Sequence, residues 1–239
     1  MNKTKFEKQK KWHDFALFNF LAQDAENAKE VMSASEGYAV PGIVASDFDS
    51  AEDAVARLSE LKRASDIVSV GLGGGGAFEN FRAVLSIAEL DRDCHINQPL
   101  ETAAFAQLVD GVYANALVRP SGKVGLVKLA TRGTIEVERL VDYCLEHQIP
   151  SIKLMSIRGT EHLAELVYLA KVASERGIYG IEPAGGIAWD NIVPIMTDVA
   201  ETGIPFFMPH IFGATVDKVT GRTKKAEIER IFEQLGGIS

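Results

Sequence analysis

A lysine stands where its neighbours are apolar: Lys153 falls within Ile149-Pro-Ser-Ile-Lys-Leu-Met155, a run that reads as one short buried strand. Burying an ammonium without a partner is costly, and the group responds by giving up its proton more readily. A neutral amine at pH 7 is what Schiff-base chemistry with a ketone requires. One strand–helix unit later comes Ile181-Glu-Pro-Ala-Gly-Gly-Ile187. Its turn offers the amides of Gly185 and Gly186 to an anion, directly after Glu182. A reactive amine beside an anion site is the outline of an enzyme.

The lysine pattern occurs twice. Val124-Gly-Leu-Val-Lys-Leu-Ala-Thr-Arg-Gly-Thr134 echoes Pro150-Ser-Ile-Lys-Leu-Met-Ser-Ile-Arg-Gly-Thr160, each with a lysine in a strand and Arg-Gly-Thr beyond it. If both strands belong to one parallel barrel, Lys128 and Lys153 point inward, and Arg132 and Arg158 join them at the C-terminal mouth. Lys128 is then a neighbouring cation that depresses the amine and contacts substrate. Either arginine would hold a carboxylate bidentately. Gly213 and Thr215, in Met208-Pro-His-Ile-Phe-Gly-Ala-Thr215, follow the last strand, where barrels hold phosphate on loop amides.

His95 and His210 fall at strands, whereas His13, His147 and His162 fall on helices or their ends and read as solvated. With Asp47 and Glu182 the first two make either an acid/base set or a His/carboxylate metal set. Gly71-Leu-Gly-Gly-Gly-Gly76 formally matches GxGxxG. Four consecutive glycines satisfy almost any glycine pattern, and no acidic residue ends the following strand. The run reads instead as a flexible loop that lets backbone approach a substrate.

These residues need elements to position them. Apolar β-branched runs predict strands over residues 40–45, 66–71, 95–97, 112–118, 124–130, 151–155, 177–181 and 205–209. Helical periodicity fills 50–62, 77–90, 100–109, 134–147, 161–175, 189–201 and 224–235, with a further helix at 24–35 before the first strand. Between the fourth and fifth strands Arg119-Pro-Ser-Gly122 reads as a tight turn, awkward for a parallel pair. Alternating strands and helices imply right-handed crossovers, and eight of them imply a (β/α)8 TIM barrel with an extra N-terminal helix that could plug its N-terminal end. The rival is an open doubly wound sheet. No Pro/Ser-rich break divides the chain, so one domain spans 1–239.

The chain is 46% apolar and 24% charged with a net charge of −8, which fits a globular protein and argues against nucleic-acid or membrane-surface partners. Cys94 and Cys144 show no CxxC spacing, so neither a disulfide framework nor a zinc motif is expected, and the cytoplasm is the expected compartment. No stretch approaches a membrane span. Met1 to Trp12 is basic and lacks the apolar core of a signal peptide, so it reads as a short solvated leader.

At this point the chain resembles the 2-dehydro-3-deoxy-phosphogluconate aldolases, in particular the branch associated with glucosaminate degradation. The pieces that carry the likeness are residues 33–42, 67–73, His95-Ile-Asn-Gln98, Pro120-Ser-Gly-Lys-Val-Gly125, Ser151-Ile-Lys153, 181–187, Met208-Pro-His-Ile-Phe212 and Asp217-Lys-Val-Thr-Gly221. They span roughly residues 24–235. The resemblance implies a (β/α)8 barrel, a Schiff base on a sixth-strand lysine matched by Lys153, and cleavage of a phosphorylated sugar acid to pyruvate and glyceraldehyde 3-phosphate. It implies no cofactor and no metal, and it places Gly185 and Gly186 on the turn that holds the phosphate. The chain departs from that pattern at Leu154-Met-Ser-Ile-Arg158 and Ala130-Thr-Arg-Gly133, both of which introduce arginine. The better-known branch carries its proton-transferring glutamate at the end of the second strand, where Gly71–Gly76 has none; Glu182 takes the role here, with His210 as rival. A sugar-acid phosphate is the expected partner, in a homo-oligomer. Two other readings stand beside it: a metal-dependent epimerase or class II aldolase, and a non-catalytic sugar-phosphate-binding barrel.

Overall fold

The structure is a computed structural model and describes residues 3–237. Its strands are β1 (Phe18–Leu21), β2 (Ala39–Val44), β3 (Ser69–Gly71), β4 (His95–Pro99), β5 (Tyr113–Pro120), β6 (Leu126–Lys128), β7 (Thr134–Glu136), β8 (Ser151–Met155), β9 (Gly180–Ala184) and β10 (Phe206–Phe207). Its α-helices are α1 (Lys3–Lys8), α2 (Ala25–Ala34), α3 (Ala51–Leu61), α4 (Phe81–Leu90), α5 (Leu100–Gln107), α6 (Val137–Glu146), α7 (Leu163–Arg176), α8 (Ile192–Ala200) and α9 (Lys225–Leu235). Eight strands pair in parallel in the order β1-β2-β3-β4-β5-β8-β9-β10. The ring closes where Leu17 and Asn19 donate to Phe207 and Pro209 at 3.1 and 3.0 Å, and Ile211 donates back to Asn19 at 2.9 Å. This is the (β/α)8 barrel expected from the alternation of elements.

Local chemistry explains the elements. Asp24 caps α2 by accepting from the Asn27 amide at 2.7 Å, and Ser50 caps α3 through the Asp53 amide at 3.1 Å. Each strand buries both faces for different reasons. In β8 the alternate residues Ile152 and Leu154 sit in the apolar layer shared with the helices, whereas Ser151, Lys153 and Met155 point into the barrel.

Several expectations are corrected. Residues 124–130 do not supply a barrel strand: only Leu126–Lys128 is extended, and it pairs antiparallel with the overhanging end of β5 and with β7. A parallel partner needs a crossover of a dozen residues or more, and the turn after Arg119 is far too short. The expected helix over 134–147 therefore starts at Val137, its first three residues forming β7. The strand that completes the barrel is instead β1, four residues whose alternation is too brief to stand out. The two differences cancel in the count, so Lys153 lies on the sixth barrel strand, as expected.

The helix at 24–35 follows β1 and is an ordinary outer helix, so it does not plug the barrel. That place belongs to α1, within the segment read as a solvated leader. The Phe6 ring is fully buried at the N-terminal end, 4.3 Å from Tyr113, 5.4 Å from Phe206 and 5.8 Å from His95, centroid to centroid. Cys94 and Cys144 are free and buried, and burial pushes each thiol up to about 12. Among the described residues no helix is long and apolar enough to cross a membrane.

Candidate active site

The interior of the barrel is polar at mid-height. Asn19, Ser69, His95, Asn97, Asn115, Ser151, Lys153, Glu182 and His210 are all buried there, between the aromatic plug below and an open cavity above. Strand register brings them together. Lys153 lies beside Glu182 and Leu117 in the sheet, and Asn97 beside Asn115.

Glu182 anchors the layer. Its Oε2 accepts from Asn115 Nδ2 at 2.6 Å and lies 2.9 Å from His210 Nε2 and 3.0 Å from His95 Nε2, while Ser151 Oγ donates to Oε1. Burial alone would raise this carboxyl, but the two imidazoles and their hydrogen bonds outweigh it and hold Glu182 well below the usual carboxylate range. Ser69 Oγ meets the far nitrogen of His95 at 2.8 Å, fixing that ring.

Lys153 is 3% exposed, and its Nζ donates to Asn97 Oδ1 at 2.7 Å and lies 2.9 Å from His210 Nδ1. Burial pushes the ammonium down to about 7, against the opposing pull of the Glu182 carboxylate. Burial and the neighbouring lysine also push His210 down to about 3, so its ring is neutral. One tautomer then satisfies both contacts: Nε2–H donates to Glu182, and Nδ1 accepts from Lys153. Lys153, His210 and Glu182 are thus linked in series.

Above the amine opens a cavity of about 490 Å³, lined by Lys153, Asn97, His210, the glycines of residues 73–76, and Gly185, Gly186 and Gly213. Leu117, Met155, Ile187 and Phe212 form its apolar wall, and exposed Ser46 and Asp47 stand on its rim. Gly185 and Gly186 have φ of +95° and +76°. A Cβ on Gly185 would fall 2.1 Å from Ser156 Oγ, and one on Gly186 2.5 Å from the Gly159 nitrogen. Only glycine fits this turn. The amides of Gly185, Gly186 and Gly213 have no acceptor among the described residues, which leaves them for a ligand.

The sequence-predicted residues therefore divide. Lys153, His210, Gly185, Gly186 and Gly213 line the cavity, and Glu182 lies directly beneath it. Thr215 is buried with its hydroxyl donating to the Ile211 carbonyl at 2.7 Å, so it supports the loop without reaching the cavity. Lys128 and Arg132 are carried by the β6–β7 hairpin and are exposed, and Arg158 is exposed and paired with Glu161 at 3.2 Å. The expected convergence of both lysine–arginine pairs on one mouth does not occur, because the strand carrying Lys128 is not in the barrel. His162 is likewise not solvated but half-buried against Glu165, 2.7 Å away.

His95, His210 and Glu182 are hydrogen-bonded to one another, while Asp47 stands apart on the rim. Among the described residues no group of three or more His, Cys, Asp or Glu is arranged to hold a metal ion. Sequence reasoning passed over Asn97, Asn115 and Ser151. Their signal was present: each is a polar residue at an inward alternate position of a strand, as Lys153 is.

Comparison with known proteins identifies the family. The chain matches the KDGP aldolase family over residues 12–219. A 2-dehydro-3-deoxy-phosphogluconate aldolase of Salmonella typhimurium is 32% identical over 229 residues, covering 90% of this chain and 92% of that protein. Among solved structures, N-(5'-phosphoribosyl)anthranilate isomerase from Pyrococcus furiosus is similar with a TM-score of 0.54 at 10% identity, over 93% of this chain and all of that one. The carboxyl transferase domain of Rhizobium etli pyruvate carboxylase with 3-hydroxypyruvate reaches a TM-score of 0.57 at 13% identity, over 93% of this chain and 47% of that one. At such identities the likeness is one of fold alone. The family match spans most of the chain and the Salmonella relative nearly all of it, so the protein whose sixth barrel strand carries this buried lysine belongs to the KDGP aldolase family and is an aldolase, a lyase.

Proposed function

We propose that the protein is a class I aldolase that cleaves a 2-keto-3-deoxy phosphorylated sugar acid to pyruvate and glyceraldehyde 3-phosphate through a Schiff base on Lys153. The observation that carries this reading is the state of that amine: buried, aimed at the cavity, and brought down to about 7 by burial. The substrate named for the Salmonella relative supports the choice of sugar acid.

Lys153 Nζ adds to the C2 carbonyl carbon, and loss of water from the carbinolamine leaves an iminium. A base takes the proton of the C4 hydroxyl, the C3–C4 bond breaks, and its electron pair runs into the iminium. The aldehyde leaves and an enamine remains. Protonation at C3 and hydrolysis release pyruvate and restore the amine. The iminium is the electron sink, so the scheme requires no cofactor.

His210 is the proton carrier in this scheme, because its Nδ1 lies by the amine and it lines the cavity. Glu182, fully buried, works through His210: it holds the ring in the accepting tautomer and compensates the positive charge that forms on it. An anionic end of the substrate rests on the amides of Gly185, Gly186 and Gly213.

Incubation with pyruvate and borohydride, followed by peptide mass spectrometry, should place a reduced pyruvyl adduct on Lys153. An unmodified Lys153 under conditions that trap a reference Schiff-base aldolase would sink the reading.

A further inference from the structure

A neutral amine has two N–H donors and one lone pair, and only the lone pair attacks a carbonyl carbon. Both donors of Lys153 have an acceptor: Nζ lies 2.7 Å from Asn97 Oδ1 and 2.9 Å from His210 Nδ1. All three residues line the cavity, so the remaining position on the nitrogen is left for a ligand. We propose that Asn97 is a catalytic residue: its amide oxygen aims the Lys153 lone pair at the substrate carbonyl and then holds the single proton that the iminium nitrogen keeps. The assignment rests on the Schiff-base reading above.

The first support is that the oxygen is fixed before any ligand arrives. Asn97, on β4, is 1% exposed. Its Nδ2 donates to the Val70 carbonyl on β3 at 2.9 Å, and Asn115 Nδ2 donates to its Oδ1 at 2.9 Å. Turning the amide over would set its NH2 against the Asn115 N–H and its oxygen against the Val70 carbonyl. Both contacts would then be like against like, so one orientation alone is satisfied. Asn115 is held in turn by Glu182 Oε2 at 2.6 Å. A buried network satisfied in this way is rigid, and the acceptor stays put while the lysine reacts.

The second support is that the two acceptors differ in what they can do with a proton. When Nζ bonds to C2, the nitrogen becomes a cation carrying both of its protons. His210 Nδ1 takes the one it faces and passes it to the oxygen that was the carbonyl, giving a neutral carbinolamine. A second proton, drawn from solvent and returned when the iminium is hydrolysed, lets that hydroxyl leave as water while the nitrogen lone pair closes the C=N bond. The iminium nitrogen then carries one N–H, the one on Asn97. An amide oxygen accepts a hydrogen bond but is too weak a base to take the proton. The proton therefore stays, and His210 is left neutral to accept from the C4 hydroxyl. The N–H direction and the Cε–Nζ bond together define the iminium plane. The same contact thus sets the direction, at right angles to that plane, in which the C3–C4 bond must stand to break.

The test times the formation of the pyruvate adduct on Lys153, by borohydride quenching and mass spectrometry, in the native chain, Asn97→Leu and Asn97→Asp. Steady-state kcat and KM and thermal melting are measured beside it. Leucine keeps the shape without an acceptor, whereas aspartate keeps an oxygen where Oδ1 stands. In Asn97→Leu adduct formation and kcat should both fall roughly 100-fold, with KM little changed. Asn97→Asp should recover most of that loss, to within about tenfold of the native rate, whatever its melting temperature. Asn97→Ala repeats the loss of the acceptor if the leucine variant does not fold. Adduct formation at the native rate without the amide oxygen overturns the proposal. So does an aspartate variant as slow as the leucine one, because the loss would then follow packing instead of the acceptor. A native chain that forms no adduct sinks the aldolase reading and this assignment with it, whereas a native adduct with an unimpaired leucine variant sinks the Asn97 assignment alone.

Discussion

Two strand lysines, each followed by Arg-Gly-Thr, live in different dielectrics in this molecule. Lys153 on β8 is walled in by the barrel, and its amine is held by Asn97 and His210. Lys128 on β6 stands on a hairpin outside the barrel, exposed and opposite another cation. The same residue type is driven toward the neutral amine in one place and left facing solvent in the other. What differs is the number of sheet faces that are buried, and that is set by whether the strand has parallel neighbours on both sides. The lesson is that a lysine in a strand becomes a nucleophile through its surroundings rather than its motif.

Exchanging the two lysines for methionine is the most direct way to break that contrast. Lys153→Met should lower kcat by roughly 10⁴-fold or more, because no other amine lines the cavity to form the covalent intermediate. Lys128→Met should leave kcat close to the native value, because that exposed side chain lies outside the cavity over Lys153. Comparable losses in the two variants would erase the distinction.

Glu182→Gln probes what sustains the buried amine. It removes the one carboxylate that serves His95, His210, Asn115 and Ser151 together. Rate should fall on the order of 100-fold or more, and unfolding in urea should reveal a loss of about 3 kcal/mol. Because Glu182 pulls the Lys153 ammonium upward, its removal should also move the pH midpoint of pyruvate trapping below that of the native chain. A midpoint shifted upward would contradict the electrostatic account.

The smallest effect is a slope. In the folded chain Lys153 titrates at about 7, and in the unfolded chain near its ordinary 10.5. Between those values the unfolded chain binds more protons, so raising the pH favours the folded state. The difference in unfolding free energy between the native chain and Lys153→Met should therefore move toward the native chain from pH 7 to 10. The slope should be at most about 1.4 kcal/mol per pH unit.

Some of this was legible from residues alone. The alternation of apolar runs with helical stretches was enough for the barrel, since eight crossover units admit few other packings. Residues 124–130 and 18–21 exchanged places for a physical reason. A three-residue hairpin strand and a four-residue barrel strand carry too few alternations to be told apart, and pairing partners decide between them. Turn length was the clue that was available: the link after Arg119 cannot carry a crossover. The plug went unseen because a basic hexamer with one phenylalanine resembles a leader until the barrel end is there to receive Phe6.

What the sequence by itself determined was the chemistry on offer: an amine forced into apolar surroundings, a turn that only glycine can make, and a carboxylate directly before it. These follow from side-chain solvation and backbone sterics, which act locally. Tertiary structure alone decided who meets whom. It set Glu182 behind His210 instead of at the cavity surface, added Asn97 and Asn115 to the amine's surroundings, and kept Lys128 and Arg158 out of the cavity. Those outcomes depend on strand register and on which strands close the ring, and both are settled by contacts between residues far apart in the chain.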